Sequence, residues 1–185
     1  MSRSIVQDFA TLEDAKIIQD DEKYLVVKAV IASEIVQRYT GCRMEQTIDI
    51  HHNYCAVENH FGREVLVHRK GATSAMKGQT GIIPGSMGSA SYIVRGRGNP
   101  ESFMSSSHGA GRCMGRNQAC RSLSVEECNK AMAGIVHGQW SRDRKGHLDL
   151  SEAPQAYKDI DEVMAAQSDL VEVLVKLQPL GVVKG

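Results

Sequence analysis

The segment Ser105-Ser106-Ser107-His108-Gly109-Ala110-Gly111-Arg112 sets one imidazole between three hydroxyls and two glycines, with a guanidinium four residues on. Hydroxyls, bare N–H groups and an arginine together suit a phosphate. Glycines let a backbone come close to a ligand, because they lack Cβ and tolerate positive φ. A histidine held there can attack phosphorus as well as bind it. In isolation such a stretch is more often a polar loop with an incidental histidine. Further glycine-rich and basic segments close by favour the chemical reading.

His51-His52-Asn53 is the second imidazole-bearing segment. Adjacent histidines on a strand point to opposite faces, so only one of them enters a given site. A neutral imidazole there suits a metal ion, with Asn53 as an amide partner. Taken alone, the triplet reads as ordinary strand histidines. Tyr54, Glu58 and His60 add donors, but their spacing fits no standard metal motif. His68-Arg69-Lys70-Gly71-Ala72-Thr73 puts two cations before a glycine turn, which suits a phosphate or nucleic-acid backbone and equally a solvated basic turn. Pro84-Gly85-Ser86-Met87-Gly88-Ser89-Ala90-Ser91 is a second loop able to offer N–H and hydroxyl groups to an anion. No G-K-[ST] closes it and no G-x-G-x-x-G opens a helix after a strand, which excludes a Walker A loop and a Rossmann fingerprint. Asn99-Pro100-Glu101-Ser102 either pins a turn or carries a carboxylate to a nucleotide.

The elements that must position these groups follow from the pattern. Residues 1–23 are polar and weakly amphipathic. Tyr24–Ile31 is β-branched and predicts a strand, with a helical continuation through Ala32–Tyr39 as the alternative; Thr40-Gly41 closes it. Thr47–Ile50 alternates like a strand and delivers the histidine pair. Val65–His68 and Ser91–Val94 read as further strands, punctuated by dense glycine. Ser124-Val125-Glu126-Glu127 is a capping box that opens a helix running to Val136. Ser141–Ser151 is a polar loop. Asp159–Asp169 has helical spacing, with Ile160, Val163, Met164 and Gln167 on one side, and Val171–Leu177 reads as strand. The mixture is α+β, with a β-rich centre of glycine-rich loops and helices in the C-terminal third.

The 185 residues suit one domain or a large piece of a bigger one. Apolar content of 42% is enough for a core, but aromatics are only 5%, so the core rests on aliphatic residues. Acids and bases both number 22, and net charge selects no partner. Their distribution is uneven: Arg63, Arg69, Lys70, Lys77, Arg95, Arg97, Arg112, Arg116 and Arg121 face only Glu64 and Glu101 over the same span. That local excess fits a polyanion. No C-x-x-C pair occurs among the five cysteines, which argues against a structural zinc site. With no signal-type N-terminus and no bilayer-length apolar run, reduced thiols and a cytoplasmic location are expected, away from membranes.

Taken together, HHNY, HRKGAT, GIIPGSMGSASYIV, GNPESF, SSSHGAGR, EAPQAYKDIDEVM and the terminal GVVKG resemble the RtcB family of RNA ligases in order and approximate spacing. The resemblance runs from His51 to Gly185; residues 1–46 match less distinctively. It implies that residues 1–185 are a single region with part of the RtcB-like fold, the C-terminal half that carries a guanylylated histidine. Ligases of this family join RNA 2′,3′-cyclic phosphate or 3′-phosphate ends to 5′-hydroxyl ends in tRNA splicing and RNA repair. They use GTP and Mn²⁺ and pass through a covalent His–GMP. By this resemblance His108 is the nucleophile and His52 a manganese ligand. Asn53, Ser86, Ser91, Glu101, Gly109, Ala110, Gly111, Arg112, Tyr157 and Lys184 are the nucleotide contacts, with Glu101 and Lys184 on the guanine side. Family members are longer, and their N-terminal half supplies an Asp-x-x-Cys pair and two more histidines as metal ligands. No Asp-x-x-Cys occurs here, and His51, His60, His68, His137 and His147 do not replace those ligands by motif. The implied partners are therefore RNA ends, GTP and a complementary N-terminal half. The alternative is a guanine-nucleotide or RNA-binding fragment without catalysis.

Overall fold

From Asn53 onward the side chains alternate between an exposed and a covered face, and the chain forms strand β1 (Asn53–His60). Phe61 and Gly62 both take positive φ, 54° and 73°, the sign a two-residue I′ hairpin turn requires. Strand β2 (Arg63–Lys70) returns antiparallel, with Asn53 opposite Lys70 and His60 opposite Arg63. The structure, a computed structural model, describes residues 34–35, 37–39, 41, 48, 50–142 and 145–182. Residues 1–47, with Gly185, form one unit and residues 48–184 another. In the first unit the described residues 34–35 and 37–39 are helical, and Gly41 N–H donates to Gln37 O (2.8 Å), in keeping with a helical continuation; Tyr24–Ile31 lies outside the described residues.

The histidine pair is not delivered by a strand over Thr47–Ile50. Ile48 and Ile50 are outside any strand, Thr47 and Asp49 are not among the described residues, and β1 begins only at Asn53. The reason is the ladder: the partner strand ends at Lys70, opposite Asn53, so the described residues just before 53 have no strand beside them in that ladder.

Gly71 turns the chain into β3 (Ala72–Ser74), which pairs antiparallel with β6 (Ser105–Ser107), Ala72 opposite Ser107 and Ser74 opposite Ser105. A three-stranded antiparallel sheet runs β4 (Thr80–Ile83), β5 (Ser91–Gly96), β8 (Val171–Leu177), with a bulge at Ile93/Val94. Short β7 (Val136–His137) and β9 (Gly181–Val182) pair in parallel. Helix α3 (Ile160–Ala165) starts at the Asp159 side chain, which accepts from Asp161 N–H. Ile160 and Met164 are buried and Val163 is half-buried, as the spacing predicts, and they meet Ile83, Tyr92, Val94 and Val171 in the main core; the helix ends at Ala165 rather than Asp169, and Gln167, also buried, lies in the turn that follows. Each such aliphatic side chain contributes roughly 1.5–3 kcal/mol on burial. Tyr92 OH donates to Asp161, whose carboxylate also holds Lys176 Nζ (2.8 Å), so β5, α3 and β8 are tied at one point.

Among the described residues of the second unit, two further helices lie before α3. Helix α1 (Arg116–Ser122) has no counterpart in the sequence pattern: only Ala119 is buried, so it shows no apolar stripe. Helix α2 (Val125–Ala131) has the expected capping box, with Glu127 N–H donating to Ser124 Oγ (3.2 Å) and Ser124 Oγ to Glu127 Oε2 (3.0 Å). It stops at Ala131 rather than Val136, because Gly134 takes φ 82° and leads into β7. Cys128, Leu150 and Ala153 form a second small core around it. The α+β mixture with a β-rich centre is therefore as expected. Among the described residues β8 is an edge strand, and Val173, Leu174, Val175 and Leu177 are exposed along it.

Candidate functional site

His108 follows β6 directly, and His52 precedes β1 directly. Their rings stack, with centroids 5.4 Å apart and planes inclined by 18°. Gly71 is the third member: its φ is +71°, and a Cβ built there would lie 3.8 Å from His108 Cε1. His108 N–H points to Gly71 O (3.4 Å). His51 turns elsewhere, its carbonyl accepting from Thr73 Oγ1 (3.2 Å) and its ring set edge-on to Tyr54. Only one of the two adjacent histidines thus reaches the other imidazole, although neither lies within a strand.

The two glycine-rich loops are docked on each other. Ala110 N–H donates to Pro84 O (3.0 Å). A Cβ at Gly109 would sit 3.0 Å from that same oxygen, so a side chain there would press the loops apart. Within the Pro84–Ser91 loop, Ser86 Oγ lies 2.8 Å from Ser89 Oγ and Gly85 N–H donates to Ser91 Oγ (3.3 Å). Asn53 is exposed at the start of β1. Glu101 lies in a 3-10 turn (Pro100–Ser102) capped by Asn99, and its exposed side chain has no bond to the histidine pair among the described residues. Gly111 O accepts from Lys158 N (3.0 Å).

Arg112 is occupied by the fold. Its Nε donates to Met114 O, its Nη1 to Glu152 Oε1 (3.2 Å) and Tyr157 OH (3.2 Å), and its Nη2 to Ser151 O. The guanidinium also lies 5.0 Å from the Tyr157 ring centroid. Burial, then the hydrogen bond that Tyr157 OH donates to the Glu152 carboxylate, raise the Tyr157 phenol above its ordinary range. Lys184 lies outside the described residues.

The basic turn is corrected by the structure. Lys70 is exposed, but Arg69 is 2% exposed and faces inward. Its guanidinium binds Glu58, Tyr54, Ser105 and Phe103 O, leaving it no face for a phosphate. Glu58, held chiefly by the hydrogen bonds from Arg69, is depressed to about 2. Glu58 also bonds His60 (2.8 Å), which packs on Phe103. His60 sits at the far end of β1, about 25 Å from His52 at the usual rise per residue, so these donors form no single site. Seven of the nine basic residues in this span, Arg63, Lys70, Lys77, Arg95, Arg97, Arg116 and Arg121, remain exposed.

Gln167 holds the residue before the nucleophile candidate, and the sequence pattern assigned it only to a helix face. Its Oε1 accepts from Ser107 N–H (3.0 Å) and its Nε2 donates to Ser107 Oγ (2.8 Å). Glu152 escaped the pattern likewise. The one available signal was a polar residue at a buried position of an apolar stripe.

Among the described residues, no three His, Cys, Asp or Glu side chains converge to hold a metal ion. His52 can supply one imidazole, and the described residues do not complete a Mn²⁺ site.

Against known proteins, the family model described as tRNA-splicing ligase RtcB matches residues 15–185. The chain belongs to the RtcB family. An RNA-splicing ligase RtcB from Escherichia coli K12 is 52% identical over 155 residues, which are 84% of this chain and 36% of that protein. An RNA-splicing ligase RtcB from Mycobacterium bovis is 41% identical over 79% of this chain and 38% of its own length. A tRNA-splicing ligase RtcB from Pyrococcus horikoshii is 35% identical over 77% of this chain and 18% of its own. The chain thus spans well under two thirds of these RtcB relatives. Among the described residues, no helix is long and apolar enough to cross a membrane.

Proposed function

We propose that this chain is the nucleotide-bearing part of an RtcB-type RNA ligase, completed by an N-terminal half. The observation that carries the reading is the stacked His52–His108 pair set against Gly71, beside two docked loops of N–H and hydroxyl donors. A ring nitrogen of His108 attacks the α-phosphorus of GTP. An N–P bond forms, the bond to the β-phosphate oxygen breaks, and pyrophosphate leaves. The RNA 3′-phosphate then attacks the GMP phosphorus and releases His108, and the 5′-hydroxyl displaces GMP to seal the strand.

Ser86 and Ser91 hold the Pro84 loop in shape from within, through Ser89 Oγ and Gly85 N–H, and Ala110 N–H docks the Gly109-Ala110-Gly111 backbone on Pro84 O; the hydroxyls and glycine backbone of these loops suit phosphate oxygens. Arg112 holds Tyr157, which suits stacking near the base or ribose. Asn53 stands next to His52 for the GMP phosphate. Glu101 and Lys184 are assigned to the guanine by family pattern alone. A manganese ion, when bound, neutralises phosphate charge; His52 is one ligand and the rest belong to the complementary half. Exposed arginines and lysines suit an RNA backbone, and the free thiols Cys55, Cys113 and Cys120 suit the cytoplasm.

The test is incubation with α-labelled GTP and Mn²⁺, with and without the N-terminal half. Label bound covalently only in the presence of that half, and lost in His108→Ala, is the expected result; label that persists in His108→Ala excludes this nucleophile. The incomplete metal set among the described residues favours a second reading, a non-catalytic guanine-nucleotide or RNA-binding fragment. GTP binding without covalent label, even with the N-terminal half present, selects it.

A further inference from the structure

The Arg69 side chain is only 1% exposed, and all five of its N–H groups are used. Nε donates to Ser105 Oγ (2.9 Å), Nη1 to Tyr54 OH (3.0 Å) and Glu58 Oε1, Nη2 to Glu58 Oε2 (2.9 Å) and Phe103 O (2.9 Å). Its charge is matched by one partly buried carboxylate, that of Glu58. The partners fall in two stretches of chain. Tyr54 and Glu58 belong to β1, and Tyr54 lies two residues after His52. Phe103 and Ser105 lead into β6, and Ser105 lies three residues before His108. One planar side chain therefore bolts together the two stretches that present the stacked imidazoles.

We propose that Arg69 is a positioning residue that sets the spacing between His52 and His108. The proposal rests on the ligase reading only for what the pair then does. A lysine cannot substitute: it is a point charge with three donors and no fixed fork. A merely stabilising Arg69 would affect the whole domain, whereas a positioning Arg69 acts on the ring contact while the core stays intact. Ser105 and Tyr54 make the joint from its two sides, so removing their hydroxyls loosens it without burying an unpaired charge.

The experiment is NMR on the 185-residue chain with labelled histidines, without nucleotide or metal. The wild-type protein should show a cross-ring contact between His52 and His108. In Arg69→Lys that contact should fall below detection while the methyl signals of Ile83, Val94 and Ile160 keep their positions. In Arg69→Ala, added methylguanidinium should restore it. The double variant Tyr54→Phe/Ser105→Ala should weaken it with the core unchanged, and this variant decides the matter if the Arg69 variants do not fold. A ring contact unchanged in Arg69→Lys, or unchanged in the double variant, overturns the proposal. Because the readout needs no GTP, an intact ring contact without GMP labelling counts against the ligase reading alone.

Discussion

Replacing Gln167 by methionine, close in volume, removes both bonds to Ser107 and keeps the turn after α3 filled. Gln167 is 5% exposed, and its Oε1 is the acceptor for Ser107 N–H. The methionine thioether offers that N–H no comparable acceptor, so a half-buried backbone donor is left unsatisfied at the end of β6. Leaving such a donor without a partner costs about 2 kcal/mol, the middle of the range for buried groups. The loss is local, because the main core of Ile83, Val94, Ile160 and Val171 stays packed. Hydrogen exchange reads it directly: protection of the Ser107 amide should fall about thirtyfold, the equivalent of 2 kcal/mol. Amides of β5 should change little. His108 is the next residue, so its ring contact with His52 should broaden in the same variant. Unchanged Ser107 exchange would refute the idea that Gln167 holds this strand end. An equal fall across β5 would show that Gln167 acts through global stability instead.

Two further outcomes are expected. The Glu58 carboxyl is depressed from 4.5 to about 2 in the folded chain, so its stabilising contribution is complete above pH 4.5 and disappears as pH falls to about 2. That contribution is about 3 kcal/mol at neutral pH; acid unfolding of the β1–β2 hairpin should lose this slope in Glu58→Gln. Gly71→Ala forces an L-residue to φ +71°, which costs roughly 1–2 kcal/mol. The added methyl meets His108 at ordinary contact distance, so a urea titration should show reduced stability with the ring contact retained, and loss of that contact would show that the site tolerates no methyl there.

Much of the scaffold was legible because its signals are local. The Ser124 capping box, the α3 stripe and the alternation in β5 each sit within a few residues. The hairpin was less legible: Phe61-Gly62 carries none of the usual Asn-Gly signal, and a phenylalanine at φ 54° is unexpected there. Helix α1 has no apolar face to announce it. His52, His108 and the two loops were each visible as chemistry-bearing segments, but not their meeting, which depends on β3 pairing with β6. By sequence Arg69 suits either a phosphate or a solvated turn, because burial is invisible in its neighbours; what buries it is Glu58 from the neighbouring strand of the hairpin and Ser105 from a distant strand.

Strand β8 has a consequence for the chain in solution. Among the described residues it pairs on one edge only, and Val173, Leu174, Val175 and Leu177 are exposed along it. An apolar strand with an open edge is a template for pairing with another strand. The expected consequence is a concentration ceiling for the chain as given, with association through this edge rising as concentration rises, which light scattering against concentration reads. Charges placed at 173 and 175 should raise that ceiling without touching either histidine.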